Sequence, residues 1–337
     1  MKKLGEVGLS LLELLISISI GSILLVSVLS VSLNGIRLAT KSGFEQDILV
    51  DGMLLVDYFS REIPSAGGYG IPANGAILVE NNCAARGPTL PNCTGSDRVT
   101  TIRPREHSNC RVTAKDGSWW KLENSAGCCM AGLDLMERQV VLLKGASYGQ
   151  RHVRLADEEN CRIQIQPGPL AMNDNVVDSG SAPYDWTGSS LLRVEMNTYY
   201  LNSQNRELMK LAYRDKNPSP NHAVQLTLAD RVFDFQVSLG YDFDPADGVV
   251  EDEGNSTDEY LFNSRSSVER FGVGHFRDAT AASLRMVGMS VVLGSPVAEP
   301  QQVGVARILD GPERREPRWR LVPSEAKFAL RTLYLFQ

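Results

Sequence analysis

Position 13 of this chain is a glutamate inside an otherwise apolar run, Leu9 to Leu33. It is the single ionisable side chain among those 25 residues, and Gly8 stands directly before the run. A carboxylate in the first turns of a membrane-length helix costs on the order of 2.5–3.5 kcal/mol on insertion scales. The chemistry open to it there is ion pairing. Opposite charges in a low dielectric attract strongly, and each is costly to leave alone. Glu13 is therefore read as half of a pair.

Other residues could do chemistry further along. The six cysteines, Cys83, Cys93, Cys110, Cys128, Cys129 and Cys161, all fall between residues 83 and 161. An even number in an oxidising compartment suggests up to three disulfides, with 15 connectivities open. Zinc is disfavoured, because the cluster holds no CxxC pair and only His107 and His152 accompany it. Residues 242–260 carry eight acids and no base. Asp242, Asp244 and Asp247, with Gly248, approach a calcium loop, which needs six to eight oxygens and a sharp turn. The spacing fails at Ala246, where a third ligand belongs. A solvated acidic loop is the expectation and calcium the alternative. Arg314, Arg315, Arg318 and Arg320 with Trp319 form the one basic cluster. Phosphate and stacking contacts to a nucleic acid are one reading; a solvated loop answering the acids is preferred. Trp119-Trp120 reads as a core or half-buried strand, with an exposed contact patch as the alternative. No GxSxG, Walker or HExxH pattern is present, and the four histidines show no ligand or triad spacing. Neither enzyme activity nor a cofactor is expected.

The elements follow from periodicity. The run of 25 exceeds the roughly 20 residues that cross a hydrocarbon core. It is also longer than the apolar part of a secretory signal. Lys2 and Lys3 favour a cytoplasmic N-terminus. From 34 to 63, Phe44, Ile48, Leu55, Phe59 and Ile63 recur at helical spacing, widened by Leu49 and Tyr58. An amphipathic helix therefore continues the apolar one, ending at Pro64 and the glycines that follow. After 71 the pattern turns to short strands near 75–79, 97–102, 140–143 and 162–165, with a loop over 166–190. Residues 191–201 and 207–214 form a hairpin about Asn202-Ser203-Gln204-Asn205. A strand follows in 232–240, a helix or strand at 282–293, and a final strand at 327–335. The net charge of −6 across 337 residues argues against general nucleic-acid binding. The part after the helix, roughly 275 residues, suffices for one large domain or two small ones.

Gly8-Leu9-Ser10-Leu11-Leu12-Glu13-Leu14 resembles the class III signal of type IV prepilins, with Leu9 where Phe is usual. Phe59 to Gly70, Leu211-Ala212-Tyr213-Arg214, Val232 to Asp242 and Leu330-Arg331-Thr332 are similar to segments of the PilW group of minor pilins. The resemblance implies cleavage between Gly8 and Leu9 by a prepilin peptidase, methylation of the new Leu9 amine, and pairing of that cation with Glu13 of a neighbouring subunit. It implies an α+β, type IV pilin-like fold, with a long membrane-spanning helix packed on an antiparallel β-rich domain. The expected divisions are a leader at 1–8, a transmembrane half-helix at 9–33, an amphipathic half at 34–63, and a β-rich domain at 64–337 with a cysteine-containing insertion at about 83–165. Expected partners are the peptidase, the major and other minor pilins, and the inner-membrane assembly platform. The chain would span the inner membrane once, with a periplasmic domain, and pass into the pilus. A GspJ-like pseudopilin of type II secretion is the alternative within this class. A signal-anchored periplasmic binding protein or enzyme is the alternative outside it.

Overall fold

The structure is a computed structural model. It describes residues 11–67, 71, 76–80, 95–123, 139–144, 147–157, 159–167, 184–213, 224–242, 259–262, 283–295, 303–308, 313–317 and 319–330. The chain divides into two compact units, Met1–Val50 and Asp51–Gln337.

One helix, α1 (Leu11–Glu62), opens the described chain. Its early part holds an 18-residue window of mean hydropathy 2.5 with no residue buried, so by length and composition it is able to cross a membrane. Backbone polar groups bonded within the helix make such a crossing possible. Ser17, Ser19 and Ser27 donate their hydroxyls to carbonyls four residues back, so these polar side chains also stay satisfied within the helix. The glycines Gly21 and Gly35 leave α1 unbroken.

In the second unit, the last turns of α1 bury Leu55 and Phe59, and Ile63 follows just past the helix end. Within this unit the stripe read from sequence is the docking face at Leu55, Phe59 and Ile63. Helix termination follows the residue types. Pro64 cannot donate a helical hydrogen bond, and Gly67 takes φ +78°, donating its N–H to the Ile102 carbonyl at 2.9 Å.

Among the described residues fifteen strands follow: β1 (Ile77–Glu80), β2 (Arg98–Asp116), β3 (Trp119–Leu122), β4 (Gln139–Lys144), β5 (Ser147–Asp157), β6 (Arg162–Pro167), β7 (Ser190–Asn202), β8 (Glu207–Tyr213), β9 (Val224–Ala229), β10 (Val232–Asp242), β11 (Glu259–Phe262), β12 (Ser283–Gly294), β13 (Val303–Ala306), β14 (Arg314–Pro317) and β15 (Leu321–Ala329). All ladders among the described residues are antiparallel. A nine-stranded sheet runs β1-β2-β3-β6-β5-β4-β7-β8-β9, a second sheet runs β11-β10-β12-β15, and β13-β14 form a ribbon.

The pairing of β2 with β7 closes part of the large sheet on itself. The pairs β2–β3, β3–β6, β6–β5, β5–β4, β4–β7 and β7–β2 complete a six-stranded ring. Alternate residues line it: Val112, Trp120 and Leu122, Val140 and Leu142, Val153, Ile163 and Leu191 form one buried cluster with Trp186. Closure removes free edges and leaves the inward residues to fill the interior. Two register irregularities in the β2–β7 ladder, between Pro104 and Glu106 and between Glu106 and Cys110, fall where β2 passes from the open sheet into the ring. Bulges bend a strand in this way, and Pro is tolerated at them. The region read as an insertion is therefore a small barrel, built on strands that begin or end in the main sheet.

The expected hairpin forms, with Asn202 inside β7 and opposite Glu207. The segment expected as a helix or strand at 282–293 forms strand β12 from Ser283 onward. The last strand among the described residues, Leu321–Ala329, overlaps the expected 327–335, of which 331–335 lie outside the described residues, and it sets Pro323 opposite Val292. β15 is an edge strand, where a missing N–H costs no ladder bond. Within 314–320, where Arg318 lies outside the described residues, β14 takes Arg314–Pro317 in place of the expected solvated loop, and Arg314 reaches the buried Asp234 at 3.2 Å. A buried carboxylate attracts that cation more strongly than a solvated acidic loop would.

Candidate functional site

Two places on α1 combine charge with unusual surroundings. The first is its start. Glu13 lies in the first turn, and every residue from 11 to 42 is exposed. An acid in the first turn suits the positive end of the helix dipole. Gly8 and Leu9 lie outside the described residues.

The second is its end, where the helix meets the sheets. Glu62, the last residue of α1, is the hub. Its Oε2 accepts the Tyr199 hydroxyl at 2.8 Å and the Asn197 amide at 3.2 Å, and Lys210 Nζ stands 3.5 Å away. Arg103 lies 3.6 Å from Glu62 Oε1 and 3.2 Å from Glu195 Oε2. Lys210 also donates to the Tyr58 hydroxyl at 2.8 Å and lies over the rings of Tyr58 and Tyr199. The strands explain the convergence. Asn197, Tyr199 and Glu195 alternate along β7, so they share one face. Asn197 and Tyr199 are opposite Ala212 and Lys210 on β8. Arg103 comes from β2, opposite Glu195.

Two acids and two bases leave the group formally neutral. Burial pushes the Tyr199 hydroxyl far above its ordinary range, helped by the Tyr58 hydrogen bond and the Glu62 charge. Burial works against the Arg103 cation, but the carboxylates of Glu195 and Glu62 outweigh it and raise its pKa. Around this polar centre Phe59 packs edge-on to Tyr58 and Tyr199 and stacks at 6.2 Å on Phe235 of the second sheet. The arrangement holds the helix end to both sheets by charge and by aromatic contact. Sequence reading missed it. Two signals were present: an acid at the helix C-terminus, against the dipole, and a lysine inside the apolar strand Leu208-Met209-Lys210-Leu211.

The remaining sequence candidates are scattered. Cys110 is buried on β2 and Cys161 sits in the turn before β6 at φ +55°. Both are disulfide-bonded, and no free cysteine occurs among the described residues. Cys83, Cys93, Cys128 and Cys129 lie outside the described residues. Asp242 ends β10, and Asp244 and Asp247 lie outside the described residues. Among the described residues, no three His, Cys, Asp or Glu side chains are grouped to hold a metal. Trp120 is buried and Trp119 half-buried on β3, with the Arg162 guanidinium 4.6 Å from the Trp119 ring. No protein-family model, curated protein or solved structure matches the chain.

Proposed function

We propose that this chain is a membrane-anchored assembly subunit of the type IV minor pilin kind, structural in its work and of the PilW-like group. The observation that carries the reading is the first part of α1. It is apolar over a membrane-spanning length, wholly exposed, and carries one carboxylate in its first turn. Apolar surface left bare by its own chain is covered by lipid or by other helices. Lipid covers the chain before assembly, and neighbouring helices cover it afterwards. In the second environment Glu13 gains the cationic Leu9 amine of another subunit, which exists only after cleavage at Gly8. The pair would set the axial offset at which a subunit is accepted. Disulfides within the segment 83–161, formed in the periplasm, belong to the same reading, as do the peptidase, the other pilins and the inner-membrane platform as partners.

Intact mass and N-terminal sequencing after co-expression with a prepilin peptidase test this directly. A mature chain starting at Leu9 with a methylated amine is expected; one starting at Met1 would sink the reading. The Glu13→Ala chain should be cleaved normally yet enter filaments poorly, and normal incorporation would refute the pairing role.

A further inference from the structure

The strands place two of the six cysteines, Cys110 and Cys161, and both are disulfide-bonded. Their registers restrict what they bond to. Val112 of β2 is opposite Leu122 of β3, and Glu123 donates its N–H to the Arg111 carbonyl at 2.8 Å. On the other side of β3, Lys121 is opposite Arg162, and Leu122 donates to the Cys161 carbonyl at 2.8 Å. Cys161 is thus level with Val112, with β3 between them, and Cys110 is two residues away along β2. Two strand spacings and two residues of rise put the Cα atoms of Cys110 and Cys161 about 11 Å apart, whereas a disulfide tolerates at most about 7 Å. They are therefore not bonded to each other. Each has its partner among Cys83, Cys93, Cys128 and Cys129.

Those four lie outside the described residues, but covalent reach bounds what each can bond to. Cys83 follows three residues after Glu80, the partner of Arg98, and Cys93 precedes Arg98 by five. Arg98 and Cys110 are opposite Tyr200 and Leu191, nine residues apart in β7, which is about 30 Å. Neither tether from Arg98 exceeds about 18 Å at full extension. Because β1 is antiparallel to β2, the chain at Glu80 is also heading away from Cys110. Cys83 and Cys93 therefore fall short of Cys110, and of Cys161, which is level with a residue farther along β2. Cys128 and Cys129 start from a different place. They follow five and six residues after Glu123, at the end of β3, where the chain leaves between Arg111 and Cys161. A tether of about 18–22 Å reaches both sides of that exit.

We infer that Cys110 and Cys161 are each bonded to one member of the adjacent pair Cys128-Cys129, and that Cys83 and Cys93 are bonded to each other. The adjacent cysteines suit two outside partners. Neighbouring Cα atoms are about 3.8 Å apart, and a disulfide spans about 4.4–6.8 Å. The 15 connectivities open to six cysteines reduce to two, which differ only in which adjacent cysteine takes which partner. Each bond forms by thiol–disulfide exchange with an oxidised dithiol catalyst, which takes up two electrons and two protons and leaves reduced. The dipeptide Cys128-Cys129 then clasps β2 to β6 across the end of β3, where β2 enters the ring. The inference requires an oxidising compartment but neither prepilin cleavage nor entry into a filament, so it stands or falls apart from the pilin reading.

The test is peptide mapping of the full chain, exported to an oxidising compartment and purified in detergent. Free thiols are alkylated, and the protein is digested with trypsin without reductant. Cleavage after Lys and Arg places Cys110 in 106–111, both Cys128 and Cys129 in 122–138, Cys161 in 155–162, Cys83 in 62–86 and Cys93 in 87–98. Mass spectrometry should find 106–111, 122–138 and 155–162 joined as one three-peptide species. Peptides 62–86 and 87–98 should form a separate pair, and reduction should release all five. A link between 106–111 and 155–162, or from either to 62–86 or 87–98, overturns the proposal. An alkylated cysteine at any of the six positions overturns it as well.

Discussion

Glu62 sits where an isolated helix would disfavour it, at the negative end of the dipole. Cations supplied by two strands reverse that preference. Removing one partner of a buried pair leaves the other charge uncompensated, which costs several kcal/mol. Lys210→Met should therefore lower unfolding free energy by about 3 kcal/mol, at the low end because Glu62 keeps some contact with water. The double change with Glu62→Met should recover part of the loss, and urea titration of the single and double variants checks both. The tyrosines add a pH dependence. Tyr199 and Tyr200 have folded-state pKa values raised by burial, whereas an unfolded tyrosine ionises near 10. Below about pH 10 both states keep their protons and the full contribution is present. Above it the unfolded state loses protons first, so stability falls as pH rises. Tyr199→Phe should flatten part of that fall in a stability–pH profile.

At the scale of elements, packing of α1 on the sheets rests on a few large contacts. Phe59 is 2% exposed, between Tyr58, Tyr199 and Phe235. Phe59→Ala should cost about 3–5 kcal/mol by chemical denaturation. Gly294 ends β12 against the Phe233 ring, and a Cβ there would collide with that ring. Phe233 in turn packs on Trp319, and the Arg206 guanidinium lies over both rings. Gly294→Ala should thus destabilise by about 1–3 kcal/mol, and near-UV circular dichroism should report the disturbed Trp319. Elements with local signals were legible in sequence. The helix declared itself by length and period, and the β7–β8 hairpin by alternation around an Asn-rich turn. β5 was not legible, because Gln150, Arg151 and His152 break its alternation. The early part of β15 was not legible, because Pro323 reads as a break unless the strand is known to be an edge. Ring closure was beyond local reasoning, since it depends on β2 pairing with β7 across the whole cysteine-bearing region. The joint at Glu62 failed to show for the same reason. Its members lie at 58, 62, 103, 195, 197, 199 and 210, and only the folded sheet brings them together.

For the molecule as a whole, β2 and β7 each serve two structures, the open sheet at one end and the closed ring at the other. Neither can melt without taking a strand from the other. The unit Asp51–Gln337 should accordingly unfold in one transition, with Trp fluorescence, weighted to Trp120 and Trp186 in the ring, coinciding with far-UV signal from the sheets; separated midpoints would show that they are uncoupled. The route by which the chain enters and leaves the ring carries a practical meaning. Arg111 and Ser190 are directly opposed, Val112 donates to the Ser189 carbonyl, and Gly188 donates to that of Val112. Entrance and exit are therefore neighbours, as the two ends of a hairpin are. The ring is a detachable cartridge: a two-residue turn joining Arg111 to Ser190 would excise it and leave a shorter hairpin behind. A foreign domain with equally close termini could be mounted in the same slot.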